Sequence, residues 1–421
     1  MREEIAWFKD SVIYHVFIDR FAGVRVDSKP NQPDFCGGNL KALTEKIPYF
    51  KKLGVNTLLI SPLMEGVAYH GYHITDFFSV DPHFGTKEDL IEFLKIAHKN
   101  NLKILLDFVP NHVSQRHPFF VKARTNELSR YRKWFYFNDS FVDLLKRKAK
   151  GESDDSYLSF LGFKDLPKLN LDYEPCRNYV VGAAQFWLDL GFDGLRLDHV
   201  LGPSISFWKH FSNKLNESHP SAVLIGELWG IGWDIKQWLT LLGVKNKLFK
   251  LMFAKEDNYI FLKDYFGILD GCLDFTFNKI FRDYISGKIT HEIAYGKLQK
   301  HYAKFPKDFF LPTFLDNHDM DRILFLANQD IEKLKELATW QFKIKQPPII
   351  YYGTELGMTQ IKPFSSVSSH GDLLARQPMS WQDAGNELFN FYKLLIAQKN
   401  RRLRTEDDLT KDIPKEFLLR N

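Results

Sequence analysis

The chain has 421 residues, 44% of them hydrophobic and 26% charged, an ordinary globular mixture long enough to bury a large core without covalent staples. A net charge of +5, from 57 basic and 52 acidic residues spread along the chain, argues for a mixed solvated surface and against a nucleic-acid-binding face. Cys36, Cys176 and Cys272 are too few and too scattered for a disulfide framework or a paired-cysteine metal site, and no stretch is long and apolar enough to cross a membrane. With no signal-like apolar region after Met1, the expected location is cytoplasmic, with reduced thiols.

In chain order, short apolar runs alternate with amphipathic helical patterns. Strands are expected at 12–17, 55–61, 103–109, 194–200, 222–228, 272–277, 309–315 and 348–352; several are continuously apolar, as a strand buried on both faces requires. Thr86-Lys-Glu-Asp89 reads as a capping box opening a helix with Leu90, Phe93, Leu94 and Ala97 on one face. Pro175 opens another, lined by Val180, Ala184, Trp187 and Leu188 and stopped by Gly191. Residues 39–52, 204–216, 331–342 and 386–398 fit the same helical role.

Eight strands alternating with helices imply parallel pairing through right-handed crossovers. Eight such units close into a (β/α)8 TIM barrel; a doubly wound open sheet is the alternative. The expected class is therefore α/β. The barrel would occupy 1–110 and 171–404, with 405–421 a short tail. The crossover 111–170, after the third strand, is far longer than a helix needs, and it is expected to be a small inserted domain over the barrel mouth.

Barrel chemistry sits where strands end. Four apolar runs end in carboxylates: at Asp107 with Asn111 and His112 after it, at Arg196 and Asp198, at Glu227 with Trp229 after it, and at Asp316 with His318 and Asp319. Singly, each has a structural explanation: Asp107 as a framework carboxylate, Arg196 with Asp198 as an ion pair, the histidines as satisfied core residues. Together at one rim they form a costly cluster of buried charge, which points to a site.

The pattern resembles the alpha-amylase family, glycoside hydrolase family 13, from about Asp10 to about Arg404. The matching segments are Asp107-Phe-Val-Pro-Asn-His112, Gly194-Leu-Arg-Leu-Asp198, Gly226-Glu227 and Asn317-His-Asp319, in order. Further matches are Gly71-Tyr72-His-Ile-Thr-Asp76, Asp81-Pro-His-Phe-Gly-Thr86 and Arg376-Gln-Pro-Met-Ser-Trp381. The resemblance implies a retaining hydrolase of α-1,4-glucosidic bonds in maltooligosaccharides, starch-type glucans or cyclodextrins. It makes Asp198 the nucleophile, Glu227 the general acid/base and Asp319 the transition-state stabiliser. It also implies that Arg196 anchors Asp198, that His112 and His318 donate to hydroxyls of the sugar being cleaved, and that Tyr72 stacks beneath it. Asp372 and Arg376 match a pair that binds the next sugar outward; an i,i+4 surface ion pair is the other explanation. Asp107 and Asn111 would be structural at the site, and Trp229 would lie on the acceptor side.

Departures from the family pattern bear on metal binding and domain content. Many amylases hold a calcium ion between barrel and inserted domain. Here Leu166-Pro-Lys168-Leu-Asn170 has Lys where the family has Asp, and Gly202 stands where it has His. Calcium prefers several anionic oxygen ligands, so neither calcium nor any other cofactor is expected, and the Lys168 ammonium is expected to act as a cationic tie. Pro-Lys-Leu-Asn resembles the neopullulanase, cyclomaltodextrinase and maltogenic amylase branch. The N-terminal β-domain of that branch and the C-terminal β-sandwich of the family are expected to be absent or strongly reduced. His73 replaces a common Asp beside Tyr72. A 4-α-glucanotransferase using the same covalent intermediate is the competing activity, and a catalytically inactive amylase-like binding protein the remote one.

Overall fold

The computed structural model describes residues 2–137, 157–229, 259–367 and 369–404. Ten strands are present among them: β1 Ile13–Val16, β2 Thr57–Ile60, β3 Met64–Gly66, β4 Ile74–Val80, β5 Lys103–Phe108, β6 Gly194–Leu197, β7 Val223–Gly226, β8 Gly271–Cys272, β9 Thr313–Phe314 and β10 Pro348–Tyr351. Eight form one sheet in the order β8-β7-β6-β5-β2-β1-β10-β9, with every neighbouring pair parallel. The two ends of this sheet meet. Gly271 pairs in parallel with Phe310, the Phe310 amide donates to Asp270 O at 2.8 Å, and the Cys272 amide donates to Phe310 O at 3.0 Å. A Cβ at Gly271 would sit 2.2 Å from Phe310 O, so the seam needs glycine. The expected TIM barrel is formed.

Strand parity sorts the core into two layers. Ile13, Leu59, Leu105, Val223, Ile225, Phe310, Phe314 and Ile349 fill the barrel. Tyr14, Leu58, Ile104, Leu106, Leu195, Leu197 and Leu224 point outward and pack under the helices. The alternation places the charged residues as well: with Leu106, Leu197 and Leu224 outside, Asp107, Arg196, Asp198 and Glu227 fall on the inner face.

The helices obey their end signals. Thr86 caps Lys87–Lys99 with a complete capping box, and Ser204 caps Ile205–Ser218 by accepting from the Phe207 amide. Glu174–Asp189 opens on Pro175. Ile331–Lys343 and Glu387–Arg404 occupy the other expected positions.

Two expectations need correction, and one pair of strands was not expected. Residues 272–277 are not a strand: β8 ends at Cys272 and Phe275–Ile285 is a helix. The Asp274 carboxylate accepts from the Phe277 amide and starts that helix, so the apparent alternation is a cap joined to the helix's apolar face. Residues 39–52 form two helices, Leu40–Glu45 and Ile47–Leu53, the second with Pro48 in its first turn. Finally, β3 and β4 form an antiparallel hairpin after β2 that apolar periodicity did not announce.

Of the segment 111–170, residues 138–156 lie outside the described residues. The rest carries a helix, Pro118–Thr125, and its two ends are joined to each other by isolated antiparallel bridges, among them His112 with Lys168 and Phe135 with Leu169. The tail 405–421 is likewise outside the described residues. Among the described residues, no helix is long and apolar enough to cross a membrane.

Candidate active site

Three adjacent strands deliver four charged side chains to one point at the barrel mouth. Arg196, on β6 and 2% exposed, donates from Nη1 to Asp107 Oδ1 at 2.6 Å and to Asp198 Oδ1 at 2.8 Å. Its Nη2 contacts Glu227 Oε1. A single guanidinium therefore faces three buried carboxylates from β5, β6 and β7. If all three were ionised the cluster would carry two uncompensated negative charges, which burial strongly disfavours. Burial pushes the Glu227 carboxyl up to about 7, with Arg196 opposing the shift and Asp198 and Asp319 adding to it. Burial likewise pushes Asp107 up to about 8, again against Arg196.

The backbone contributes beside Asp198. His199 has φ 47°, an uncommon conformation for a non-glycine residue, which costs about 1–3 kcal/mol. That turn directs the His199 amide toward Glu227 Oε2, at 3.4 Å. Asp198 Oδ2 is buried without a hydrogen-bond partner.

Asp319 reaches the cluster from the loop after β9. His318 Nε2 lies 3.0 Å from Asp319 Oδ2, and Arg376 Nη2 donates to Oδ1 at 2.8 Å. Although burial works the other way, His318, Arg376 and Arg196 together hold this carboxyl well below the usual carboxylate range. Tyr72, from the loop between β3 and β4, joins the two halves: its hydroxyl donates to Asp107 Oδ2 at 2.7 Å and lies 2.6 Å from His318 Nε2. The Tyr72 and His318 rings stack, with centroids 5.4 Å apart and planes 10° apart.

The remaining sequence-predicted residues fall around this centre. His112 is buried against Phe160 of the inserted segment, with ring centroids 4.6 Å apart, and burial lowers it to about 4, so it is neutral near pH 7. Asp372 and Arg376 do form an ion pair, at 2.5 Å, and Tyr69 bridges them. Trp229 stacks on Phe275 at 5.4 Å and remains 42% exposed just beyond Glu227. Phe160, Tyr69 and His199 were missed by sequence reasoning; only the direct succession of His199 to Asp198 could have pointed to any of them. A cavity of about 510 Å³, lined in part by Lys209, Asp264 and Phe266, lies on the outer wall, and none of the site carboxylates lines it.

The position where the family implies calcium fails a fit test. Lys168 Nζ, buried, donates to Gly202 O at 2.6 Å. A Cβ at Gly202 would meet Asn111 Oδ1 at 2.0 Å, so glycine lets the loop close onto Asn111. Asn111 Oδ1 is buried and unpartnered, but one neutral oxygen beside an ammonium is a poor cation site. Among the described residues no cluster of three or more His, Cys, Asp or Glu side chains could hold a metal.

The alpha amylase catalytic-domain family matches residues 15–412, which includes every carboxylate above. The chain belongs to the alpha-amylase family. It is 36% identical to Alpha-amylase 2 of Dictyoglomus thermophilum over 396 residues, 93% of this chain. It is 28% identical to Neopullulanase 2 of Thermoactinomyces vulgaris over 413 residues, 94% of this chain. In both cases the chain spans 63% of the relative's length. A solved cyclomaltodextrinase structure superposes with a TM-score of 0.77 at 27% identity, covering 95% of this chain and 65% of that one. This alpha-amylase-family domain therefore shares its barrel with the branch that its Pro-Lys-Leu-Asn motif resembles.

Proposed function

We propose that the chain is a retaining hydrolase of α-1,4-glucosidic bonds in maltooligosaccharides, starch-type glucans or cyclodextrins, working by double displacement. The observation that carries this reading is the shared guanidinium: Asp198 and Glu227 sit on the two amino groups of Arg196. One guanidinium touching both carboxylates keeps them near each other, which supports the close pairing of retaining enzymes, about 5–5.5 Å, over the roughly 6.5–9.5 Å that leaves room for a water in inverting ones.

Each step then rests on a named residue. Glu227, pushed up to about 7, carries a proton to the leaving oxygen as the bond breaks. Asp198 attacks the anomeric carbon, using a carboxylate whose Oδ1 Arg196 fixes and whose Oδ2 has no competing partner. Asp319, held anionic by His318 and Arg376, stabilises the oxocarbenium-like charge and accepts from sugar hydroxyls. Glu227, now deprotonated, activates the water that opens the glycosyl-enzyme. His112 and His318 flank the ring being cleaved, and Tyr72 supports it from beside Asp107.

A 4-α-glucanotransferase is the second reading, favoured by one observation: the half-exposed Trp229 face beyond Glu227, backed by Phe275, offers an apolar platform to an acceptor sugar. A time course on maltotriose, with β-cyclodextrin and pullulan in parallel, separates the two. Glucose and maltose as the first products support hydrolysis, early maltotetraose or longer chains support transfer, and no turnover of any glucan sinks both.

A further inference from the structure

A histidine stands inside the barrel at the floor of the site. His15 lies two positions after Ile13 on β1, so it shares the inner face, and it is 4% exposed. That interior is packed with apolar side chains such as Leu59, Leu105, Phe310 and Ile349. An imidazole there costs free energy unless its nitrogens are hydrogen-bonded. Yet His15 Nε2 is buried with no partner among the described residues, and so is His318 Nδ1. The two rings meet edge to face, with centroids 5.2 Å apart and planes 86° apart. Both line one void of about 10 Å³, where Arg196 and Asn317 supply the other polar wall and the rest is apolar. A space of that size holds a single water molecule, provided that several polar groups surround it.

We infer that His15 is a positioning residue that acts through one water molecule: a water in this void links His15 Nε2 to His318 Nδ1 and so holds the His318 ring with its Nε2 hydrogen aimed at Asp319. This rests on the reading of His318 and Asp319 as groups that hold the sugar being cleaved. The hydrogens can be assigned one by one. His318 Nε2 lies 3.0 Å from Asp319 Oδ2 and 2.6 Å from the Tyr72 hydroxyl, whose own hydrogen goes to Asp107. An ionised carboxylate only accepts, so His318 Nε2 carries a hydrogen. Burial holds His318 below the ordinary histidine value of 6.5, with Asp319 opposing and Arg376 and Arg196 adding, so the ring is neutral at pH 7. Its Nδ1 is then a bare lone pair that needs a donor. A water donates to it and exchanges its second hydrogen bond with His15 Nε2, nearly as well as a direct bond would. Which nitrogen of a histidine keeps the proton is set by what the other nitrogen meets. Without that water the ring, stacked on Tyr72, is fixed on its Nε2 side alone.

The test uses the full chain. A high-resolution crystal structure of the wild type is expected to show one ordered water within hydrogen-bond reach of both His15 Nε2 and His318 Nδ1. In NMR spectra of protein labelled at the histidine nitrogens, the His318 signals are assigned by their loss in His318→Gln. They should place the proton on Nε2 and show Nδ1 accepting a hydrogen bond. His15→Phe keeps a ring and loses both nitrogens. It should move the Nδ1 resonance to that of an unbonded nitrogen and lower kcat on maltotriose by about tenfold or more. His15→Gln, whose amide can again bond to the water, should restore the Nδ1 signal and most of kcat. A ring that served packing alone would give the reverse order, with His15→Phe near wild type and His15→Gln impaired, and that order overturns the inference. So does a dry void, or a water that reaches one histidine and not the other. Should His15→Phe fail to fold, the wild-type water and the Nδ1 signal of His15→Gln decide in its place. Wild type inert on glucans would defeat the functional reading, and the water and the Nδ1 signal would still decide what His15 does.

Discussion

Glu227 must hold a proton near neutral pH while touching a guanidinium that favours losing it. Burial wins, and the carboxyl settles at about 7. Glu227→Gln should therefore lower turnover by about 10²–10⁴-fold while retaining oligosaccharide affinity, as measured by steady-state rates beside calorimetric binding; near-normal rates would remove the acid/base assignment. The same shift links stability to pH. The folded-state value lies above the ordinary glutamate value of 4.5, so the protonated form is favoured by folding, and the contribution is complete below about 4.5 and lost as pH rises through about 7. Glu227→Gln should thus have little effect on the melting temperature near pH 4.5 and raise it by about 2–5 °C at pH 8. Equal shifts at both pH values would show that the carboxyl is not strained by burial.

At the scale of elements, caps decide where strands give way to helices. Thr86 serves an exposed helix start, and its hydroxyl accepts from the Asp89 amide at an ordinary 3.2 Å. Asp274 does more: besides capping Phe275–Ile285 it accepts from the Tyr302 hydroxyl at 2.8 Å and lies 2.9 Å from His301 Nε2, joining two consecutive helices at a site 1% exposed. Thr86→Ala should cost about 1 kcal/mol in urea unfolding, and Asp274→Ala about 3 kcal/mol or more, because it leaves several buried groups without a partner. A smaller loss at Asp274 than at Thr86 would mean that the cap, and not the buried network, sets the stability of this quarter of the barrel.

For the whole molecule, one tie between the segment 111–170 and the barrel is an ammonium. Lys168 spans from its bridge with His112 to Gly202 O, on the loop after Asp198. We expect EDTA to leave both activity and melting temperature unchanged, and Lys168→Met to cost about 1–3 kcal/mol by stranding a buried carbonyl. A large fall in melting temperature with EDTA, reversed by added calcium, would show that a metal carries this junction.

Legible in the chain alone were the alternation of elements and the strand-end location of Asp107, Arg196, Asp198 and Glu227. Each depends only on residue type and on the two-residue repeat of a strand, both of which are local. The strand read at 272–277 failed for the same reason: a cap plus the first apolar turn of a helix imitates alternation over so short a span. Only the assembled barrel settled that one guanidinium serves three carboxylates, that Tyr72 bridges Asp107 to His318, and that Arg376 turns inward to Asp319 across 57 positions of chain. Those contacts exist because the barrel closes at Gly271 and brings distant loop ends to one rim, and no periodicity within a single strand or helix encodes where another strand's loop will arrive.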